Sequence, residues 1–92
     1  MAPAEIVMLA TPWCGDTRLA RRVLDELGIT YDFVDFSRDE PAARRVEQIT
    51  GGFRSSPTIL FPDGSVLIEP AARILREKIE TLQAAGYHLG TV

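Results

Sequence analysis

The first third of the chain combines a short apolar run with a longer segment of helical periodicity. Ile6–Leu9 is apolar and is bounded by turn-forming residues, which predicts a strand buried on both faces. Residues 17–27 carry apolar side chains three and four positions apart, as on one face of a helix, and Gly28 follows where that helix would end. The residues expected on the buried face are Leu19, Val23, Leu24 and Leu27.

The same alternation continues to the C-terminus. Aromatic and β-branched residues at 31–36 predict a second strand, and the acidic pair before Pro41 predicts a helix start, with Gly51-Gly52 at its end. Residues 58–61 and 66–68 flank Pro62-Asp63-Gly64-Ser65, a sequence typical of a tight hairpin turn. A last helix is predicted from Glu69-Pro70 to Gly86, with five apolar positions on its buried face. These five are Ala71, Ile74, Leu75, Ile79 and Leu82.

The predicted order is therefore β-α-β-α-β-β-α. The first two strands are joined through a helix and should be parallel, whereas the terminal hairpin is antiparallel. A mixed four-stranded sheet with helices on both faces would cover every apolar stripe. We expect an α/β fold that forms one domain over residues 1–92, a length sufficient for a single small core.

Composition narrows the classes of function. A net charge of −3 gives no reason to expect a nucleic acid partner, and no apolar stretch approaches the roughly 20 residues that span a bilayer. Met1–Glu5 lacks the basic and apolar regions of a signal peptide, so we expect a cytoplasmic protein. We expect no metal site, because the chain has one cysteine and one histidine, and His88 is expected to be solvated near a frayed C-terminus.

The single cysteine, Cys14, is the main candidate for chemistry. It follows the first strand and precedes the first helix, a common location for the active sites of α/β sheets. The thiolate is the nucleophilic form of cysteine, and free N–H groups in the first turn of the helix would stabilise it, with Asp16 opposing and Arg18 assisting. The alternative is that Cys14 packs as a small apolar residue, but a Pro-Trp-Cys-Gly-Asp turn should be partly exposed.

Several motifs, in this order, resemble those of glutaredoxins. Residues 11–17, Thr-Pro-Trp-Cys-Gly-Asp-Thr, resemble the active-site loop at the start of the first helix of a thioredoxin fold, and Ser56-Pro57-Thr58 matches the loop that holds a cis-proline. Mycoredoxins are the most similar branch, since they share the Trp-Cys-Gly pattern, residues 51–58 and the later Asp-Gly-Ser. The resemblance covers about residues 5–82. It implies a thioredoxin/glutaredoxin fold and a thiol-disulfide oxidoreductase with Cys14 as its catalytic residue.

Thr17 departs from the usual family pattern, because a second, resolving cysteine normally occupies this position. Without it an intramolecular disulfide is impossible, and the resemblance implies a monothiol route. Cys14 would then reduce protein mixed disulfides and depend on an external thiol or reductase. Thr17 could assist by donating its hydroxyl hydrogen to the Cys14 sulfur, or it could simply be a capping or solvated residue.

The remaining site residues are also implied by the resemblance. A cis Ser56–Pro57 bond would present the Ser56 backbone to Cys14 and to an extended, peptide-like thiol, although a trans proline is the ordinary alternative. Trp13 would border the groove for that thiol, or would be a partly exposed cover over the helix. Arg54 is the basic side chain expected near the groove.

The identity of the small thiol is left open between mycothiol and glutathione. Glutaredoxins usually hold a glutathione carboxylate with a Gly-Gly-x-Asp segment, where this chain has Ile68-Glu69-Pro70 followed by two alanines. Pro70 lacks an N–H group and Glu69 is negatively charged, so this departure places glutathione binding in doubt. Mycoredoxins also lack the segment and use mycothiol.

Two other classes of function remain as alternatives. Monothiol glutaredoxins can carry a [2Fe-2S] cluster between two chains, and Thr17 is similar to the serine of their Cys-Gly-x-Ser motif. This chain, however, lacks the lysine and the loop insertion that precede the motif in those proteins. The other alternative is a redox-inactive binding module that has kept the thioredoxin fold.

Overall fold

The computed structural model describes residues 5–90. Met1–Ala4, where no export signal was expected, and the last two residues of the predicted domain lie outside this range. The predicted order of elements is confirmed, with one added 3-10 turn. The elements are β1 (Val7–Ala10), α1 (Gly15–Glu26), β2 (Asp32–Asp35), a 3-10 turn (Phe36–Arg38), α2 (Glu40–Thr50), β3 (Thr58–Leu60), β4 (Val66–Ile68) and α3 (Ala72–Ala84).

The four strands form one mixed sheet in the order β2-β1-β3-β4. β1 is parallel to β2 and antiparallel to β3, and β3 is antiparallel to β4. Thr58 at the start of β3 pairs with Leu9 near the end of β1 and with Ile68 at the end of β4. The segments that follow β1, precede β3 and follow β4 therefore meet at one edge of the sheet.

The predicted burial of β1 on both faces is confirmed. Met8 belongs to the larger apolar cluster with α1 and α3, whereas Leu9 belongs to a smaller cluster with Ala43 and Val46 of α2. Consecutive side chains of a strand point to opposite faces, so this division places helices on both sides of the sheet. The mixed sheet flanked by helices is as expected from the sequence.

Helix α1 differs from the prediction in its bounds and its buried face. It begins at Gly15 and ends at Glu26, and Leu19 and Leu27 are each 37% exposed rather than buried. Val23 and Leu24 are buried as predicted, and Ala20, which was not predicted, is buried with them. Helical spacing identified the apolar positions correctly, but α3 covers only part of that stripe.

The later boundaries also differ in detail. β2 ends at Asp35, because the Asp35 carboxylate accepts hydrogen bonds from Ser37 and caps the 3-10 turn. α3 begins at Ala72 rather than at Glu69-Pro70, and Ala71 is exposed. The predicted hairpin turn is confirmed, with Gly64 at φ 86°.

The C-terminal segment is held to the fold by hydrogen bonds as far as Gly90, contrary to the expected fraying. The Thr30 N–H and hydroxyl groups donate to the carbonyl oxygens of Gly90 and Leu89 at 3.1 and 3.2 Å. Leu89 is buried in the larger cluster, while His88 is exposed. Over residues 5–90, no helix combines the length and the apolar character needed to cross a membrane.

Candidate active site

Cys14 lies where the loop after β1 enters α1, beside the loop that precedes β3. It is the N-cap residue of α1, with extended backbone angles, and its side chain is partly buried. Its Sγ donates to the carbonyl oxygen of Ser56 at 3.4 Å. The register of β1 and β3 thus brings together two sequence-predicted residues that are 42 positions apart.

The hydrogen bonding of Cys14 differs from the expectation for its sulfur. We expected N–H groups of the first helical turn to contact the sulfur, but its side chain makes no capping hydrogen bond. The sulfur instead faces a carbonyl oxygen, which is the geometry of a protonated thiol acting as a donor. In this arrangement the Ser56 backbone holds the thiol at the helix entrance.

Ser56 Oγ joins the segments around Cys14. It accepts from the Thr11 N–H at 2.8 Å and from the Thr11 hydroxyl at 3.2 Å, and it lies 2.9 Å from Thr17 Oγ1. A hydroxyl has one hydrogen to donate and two lone pairs. Ser56 Oγ therefore takes part in three hydrogen bonds, and in the one with Thr17 either hydroxyl can be the donor.

Thr17 neither donates a hydrogen bond to the Cys14 sulfur nor lies in solvent as a capping or solvated residue would. It is fully buried, so it is not a solvated residue, and its hydroxyl contacts Ser56 rather than a capping group. A hydrogen bond between Thr17 and the Cys14 sulfur is not among the contacts of residues 5–90. Thr17 therefore acts on the site through Ser56, as a positioning residue.

Buried polar side chains of the described chain are concentrated at this site. Thr17, Ser56 and Thr58 are the three buried polar residues within 5–90, and Thr58 Oγ1 donates to the Ser55 carbonyl oxygen at 3.0 Å. Each has a hydrogen-bond partner, as buried polar groups require. Such a satisfied network fixes the loop that faces Cys14.

The Ser56–Pro57 peptide bond is cis, as the resemblance implied. Pro57 is buried, and its carbonyl oxygen accepts from the Glu69 N–H at 2.8 Å. Glu69 has φ 49°, which is the only positive φ among the non-glycine residues described. The end of β4 thus belongs to the same edge as Cys14, and Glu69 was not among the predicted site residues.

Trp13 forms the exposed side of the cysteine loop. Its side chain is 63% exposed, and its carbonyl oxygen accepts from Arg18 Nη2 at 3.2 Å. Asp16, expected to oppose a negative charge on Cys14, is also exposed in the first turn of α1. A role for Trp13 in binding a small thiol stays a prediction.

Arg54 forms ion pairs with α2. Its guanidinium contacts Glu40 at 2.8 Å and Glu47 at 3.3 Å, and hydrogen bonds with these two carboxylates raise the pKa of Arg54 above its ordinary value. Its charge is thereby balanced by two carboxylates. A role for Arg54 in the groove stays a prediction.

Thr11, like Glu69, is a residue of the candidate site that was not predicted from the sequence. It was recognised only as part of the loop motif, yet its N–H and hydroxyl both contact Ser56. The available signal was a pair of threonines on either side of Cys14.

Among residues 5–90, no group of three or more metal-binding side chains lies together.

Comparison with known proteins agrees with this fold. The glutaredoxin family model matches residues 6–66. The chain is 34% identical over 79 residues to mycoredoxin 1 of Corynebacterium glutamicum, with 86% of this chain and 98% of the relative covered. It is 35% identical over 79 residues to a Mycobacterium tuberculosis protein provisionally named a glutaredoxin, with 86% and 94% covered.

Solved structures support the same conclusion. A thioredoxin-like protein superimposes with a TM-score of 0.64 at 25% identity, over 84% of this chain and 97% of that one. The holo form of a glutaredoxin from Populus tremula x tremuloides gives a TM-score of 0.63 at 16% identity, over 89% and 80%, and shows the shared fold. The thioredoxin/glutaredoxin fold expected from the motifs is confirmed. With the family model covering more than half of its length, the chain belongs to the glutaredoxin family.

Proposed function

We propose that the protein is a monothiol thiol-disulfide oxidoreductase that reduces mixed disulfides between proteins and a low-molecular-weight thiol. The observation that carries this proposal is the position of Cys14, partly exposed at the start of α1 with its sulfur against the Ser56 backbone. The chain has no second cysteine. We further propose a cytoplasmic location, because a free catalytic thiol requires a reducing compartment.

The first step is attack by the Cys14 thiolate on the small-thiol sulfur of a protein mixed disulfide. A new disulfide forms between Cys14 and the small thiol, the original disulfide breaks, and the protein leaves as a thiolate that takes up a proton. Loss of the Cys14 proton also releases the Ser56 carbonyl oxygen from its hydrogen bond with Sγ.

The Ser56 backbone is suited to hold the small thiol during this step. Its carbonyl oxygen would accept an N–H from a peptide-like thiol, and its own N–H has no partner among the described residues. A donor and an acceptor on one residue can bind an extended backbone in the manner of an added strand. The network of Thr11 and Thr17 on Ser56 Oγ keeps these groups in place.

The second step requires a thiol from outside the chain. A second small-thiol thiolate attacks the small-thiol sulfur held on Cys14, forms a symmetrical disulfide, and releases the Cys14 thiolate. We propose mycothiol or glutathione as this co-substrate. A relative that is named mycoredoxin 1 supports mycothiol, and the family as a whole supports a thiol of this class.

The proposal is tested by the release of a small thiol from a model protein mixed disulfide. Separate reactions with mycothiol and glutathione adducts should show catalytic release by the wild type and none by Cys14→Ser. Absence of turnover with both adducts would refute the function. Mass spectrometry of the reaction with each thiol identifies the adduct on Cys14 without ambiguity, because no other cysteine is present.

A further inference from the structure

We propose that Glu69 is a specificity-determining residue, which disfavours disulfides whose small thiol carries carboxylates and favours neutral or cationic ones. This inference rests on the proposed reaction of Cys14 with small disulfides. It starts from the backbone of Glu69, whose φ of 49° is unusual for a residue with a side chain. Such conformations cost energy and are concentrated at functional sites.

Two contacts link Glu69 to the reactive sulfur. The Glu69 N–H donates to the Pro57 carbonyl oxygen at 2.8 Å, and the neighbouring Ser56 carbonyl oxygen lies 3.4 Å from Cys14 Sγ. The residue is exposed, at the edge of the sheet where the cysteine loop also ends. A disulfide bound along Ser56 would therefore lie close to Glu69.

Glu69 contributes negative charge that no basic side chain balances. It forms no salt bridge within residues 5–90, whereas Arg54, the basic residue predicted near the groove, is neutralised by Glu40 and Glu47. α3 begins after the N-cap residue Ala71, which makes no side-chain capping hydrogen bond, so the first N–H groups of the helix can attract anions. Glu69 stands two residues before this N-cap, where its negative charge opposes that attraction.

The expected size of the effect follows from Coulomb's law near a protein surface. At a separation of about 8 Å and an effective dielectric constant of about 40 to 80, two unit charges change a rate by about two- to sixfold. The discrimination should weaken at high salt, since exposed charges are screened over about 8 Å at physiological ionic strength.

The test measures formation of the Cys14 mixed disulfide with three small disulfides at low salt. These are cystamine, which is cationic, hydroxyethyl disulfide, which is neutral, and glutathione disulfide, which bears carboxylates. The variant Glu69→Gln removes the charge and keeps the size of the side chain. The matched control is Glu80→Gln, which changes the net charge equally at an exposed position about 12 Å along α3 from its first residue, Ala72.

Each rate is divided by the rate with hydroxyethyl disulfide, the neutral compound. In the wild type, this relative rate should be higher for cystamine than for glutathione disulfide. Glu69→Gln should change the two rates in opposite directions and lower their ratio by about fourfold or more, and Glu80→Gln should leave it within about 1.5-fold. An unchanged ratio in Glu69→Gln, or an equal change in both variants, would overturn the inference while the proposed function stands. Failure of the wild type to form an adduct even with hydroxyethyl disulfide would overturn both.

Discussion

Replacing Ser56 by alanine would remove the oxygen that joins the cysteine loop, α1 and the loop before β3. Ser56 Oγ accepts from the Thr11 N–H at 2.8 Å and lies 2.9 Å from Thr17 Oγ1, which is fully buried. The variant Ser56→Ala leaves these partners in place without the atom they contact. The free energy of unfolding should therefore fall by more than the worth of one hydrogen bond.

The magnitude follows from the groups left unpaired. A buried donor or acceptor without a partner costs about 1–3 kcal/mol. Ser56→Ala leaves the buried Thr17 hydroxyl and two Thr11 groups, the N–H and the hydroxyl, without this partner. Because Thr11 is only partly buried, we expect a total loss of about 2–4 kcal/mol. Thr17→Val removes a hydroxyl at similar volume and leaves Ser56 Oγ its contacts with Thr11, so it should cost about 1 kcal/mol. The double variant should be less destabilised than the sum of the two, by about 0.5–1.5 kcal/mol.

Urea unfolding followed by circular dichroism measures these differences. Ser55→Ala is the matched control, because the Ser55 side chain has no hydrogen bond within the described range and only its carbonyl oxygen is used. A loss of less than about 0.5 kcal/mol in Ser56→Ala, or a loss equal to that of Ser55→Ala, would refute the role of the network. Additive effects in the double variant would show that Ser56 and Thr17 act independently.

Three further outcomes are expected. The hydrogen bond from Lys78 holds the pKa of Asp63 well below its ordinary value. The ionised Asp63 carboxylate therefore contributes stability above about pH 4, and this contribution is lost as the pH falls. The difference in urea midpoint between wild type and Asp63→Asn should shrink from about pH 6 to about pH 2, and a constant difference would contradict this. Gly90→Ala should lower the thermal midpoint, because its methyl group would meet Thr30 Oγ1 at a positive φ, and an unchanged midpoint would refute that contact. Thr17→Cys should form an intramolecular disulfide with the active-site cysteine on oxidation, detected as a loss of free thiols in the monomer; persistent free thiols would show that the geometry of α1 forbids it.

The order of elements could be predicted because each stripe of apolar residues has the period of its element. β1 and the hairpin are specified locally, by an apolar run and by Asp63-Gly64 respectively. The exposure of Leu19 and Leu27 could not be predicted in the same way. A helical period indicates which residues share a face, but the area of that face that is covered depends on the partner helix.

The site was predictable where it depends on motif and topology, and less so where it depends on side-chain hydrogen bonds. Cys14 and Ser56 meet because β1 and β3 are antiparallel neighbours. The role of Thr17 depends on a hydroxyl that lies 39 positions away in the sequence, and no local pattern specifies such a pair. The positive φ of Glu69 was equally hidden, since glutamate rarely adopts it and nothing in the sequence predicts it.

The position of Thr17 links the stability of the site to its chemistry. In dithiol members of the family this position holds the thiol that resolves the mixed disulfide, whereas here it holds a buried hydroxyl bonded to Ser56. A cysteine at this position is a weak hydrogen-bond partner, so it would loosen the loop that presents the Ser56 backbone to Cys14 while providing an internal route for release. Threonine keeps that loop fixed and leaves Cys14 without an internal thiol. For the reaction we propose, the lifetime of a mixed disulfide on Cys14 would therefore be governed by the supply of external thiol, and by how readily that thiol reaches Cys14 past Ser56 and Glu69.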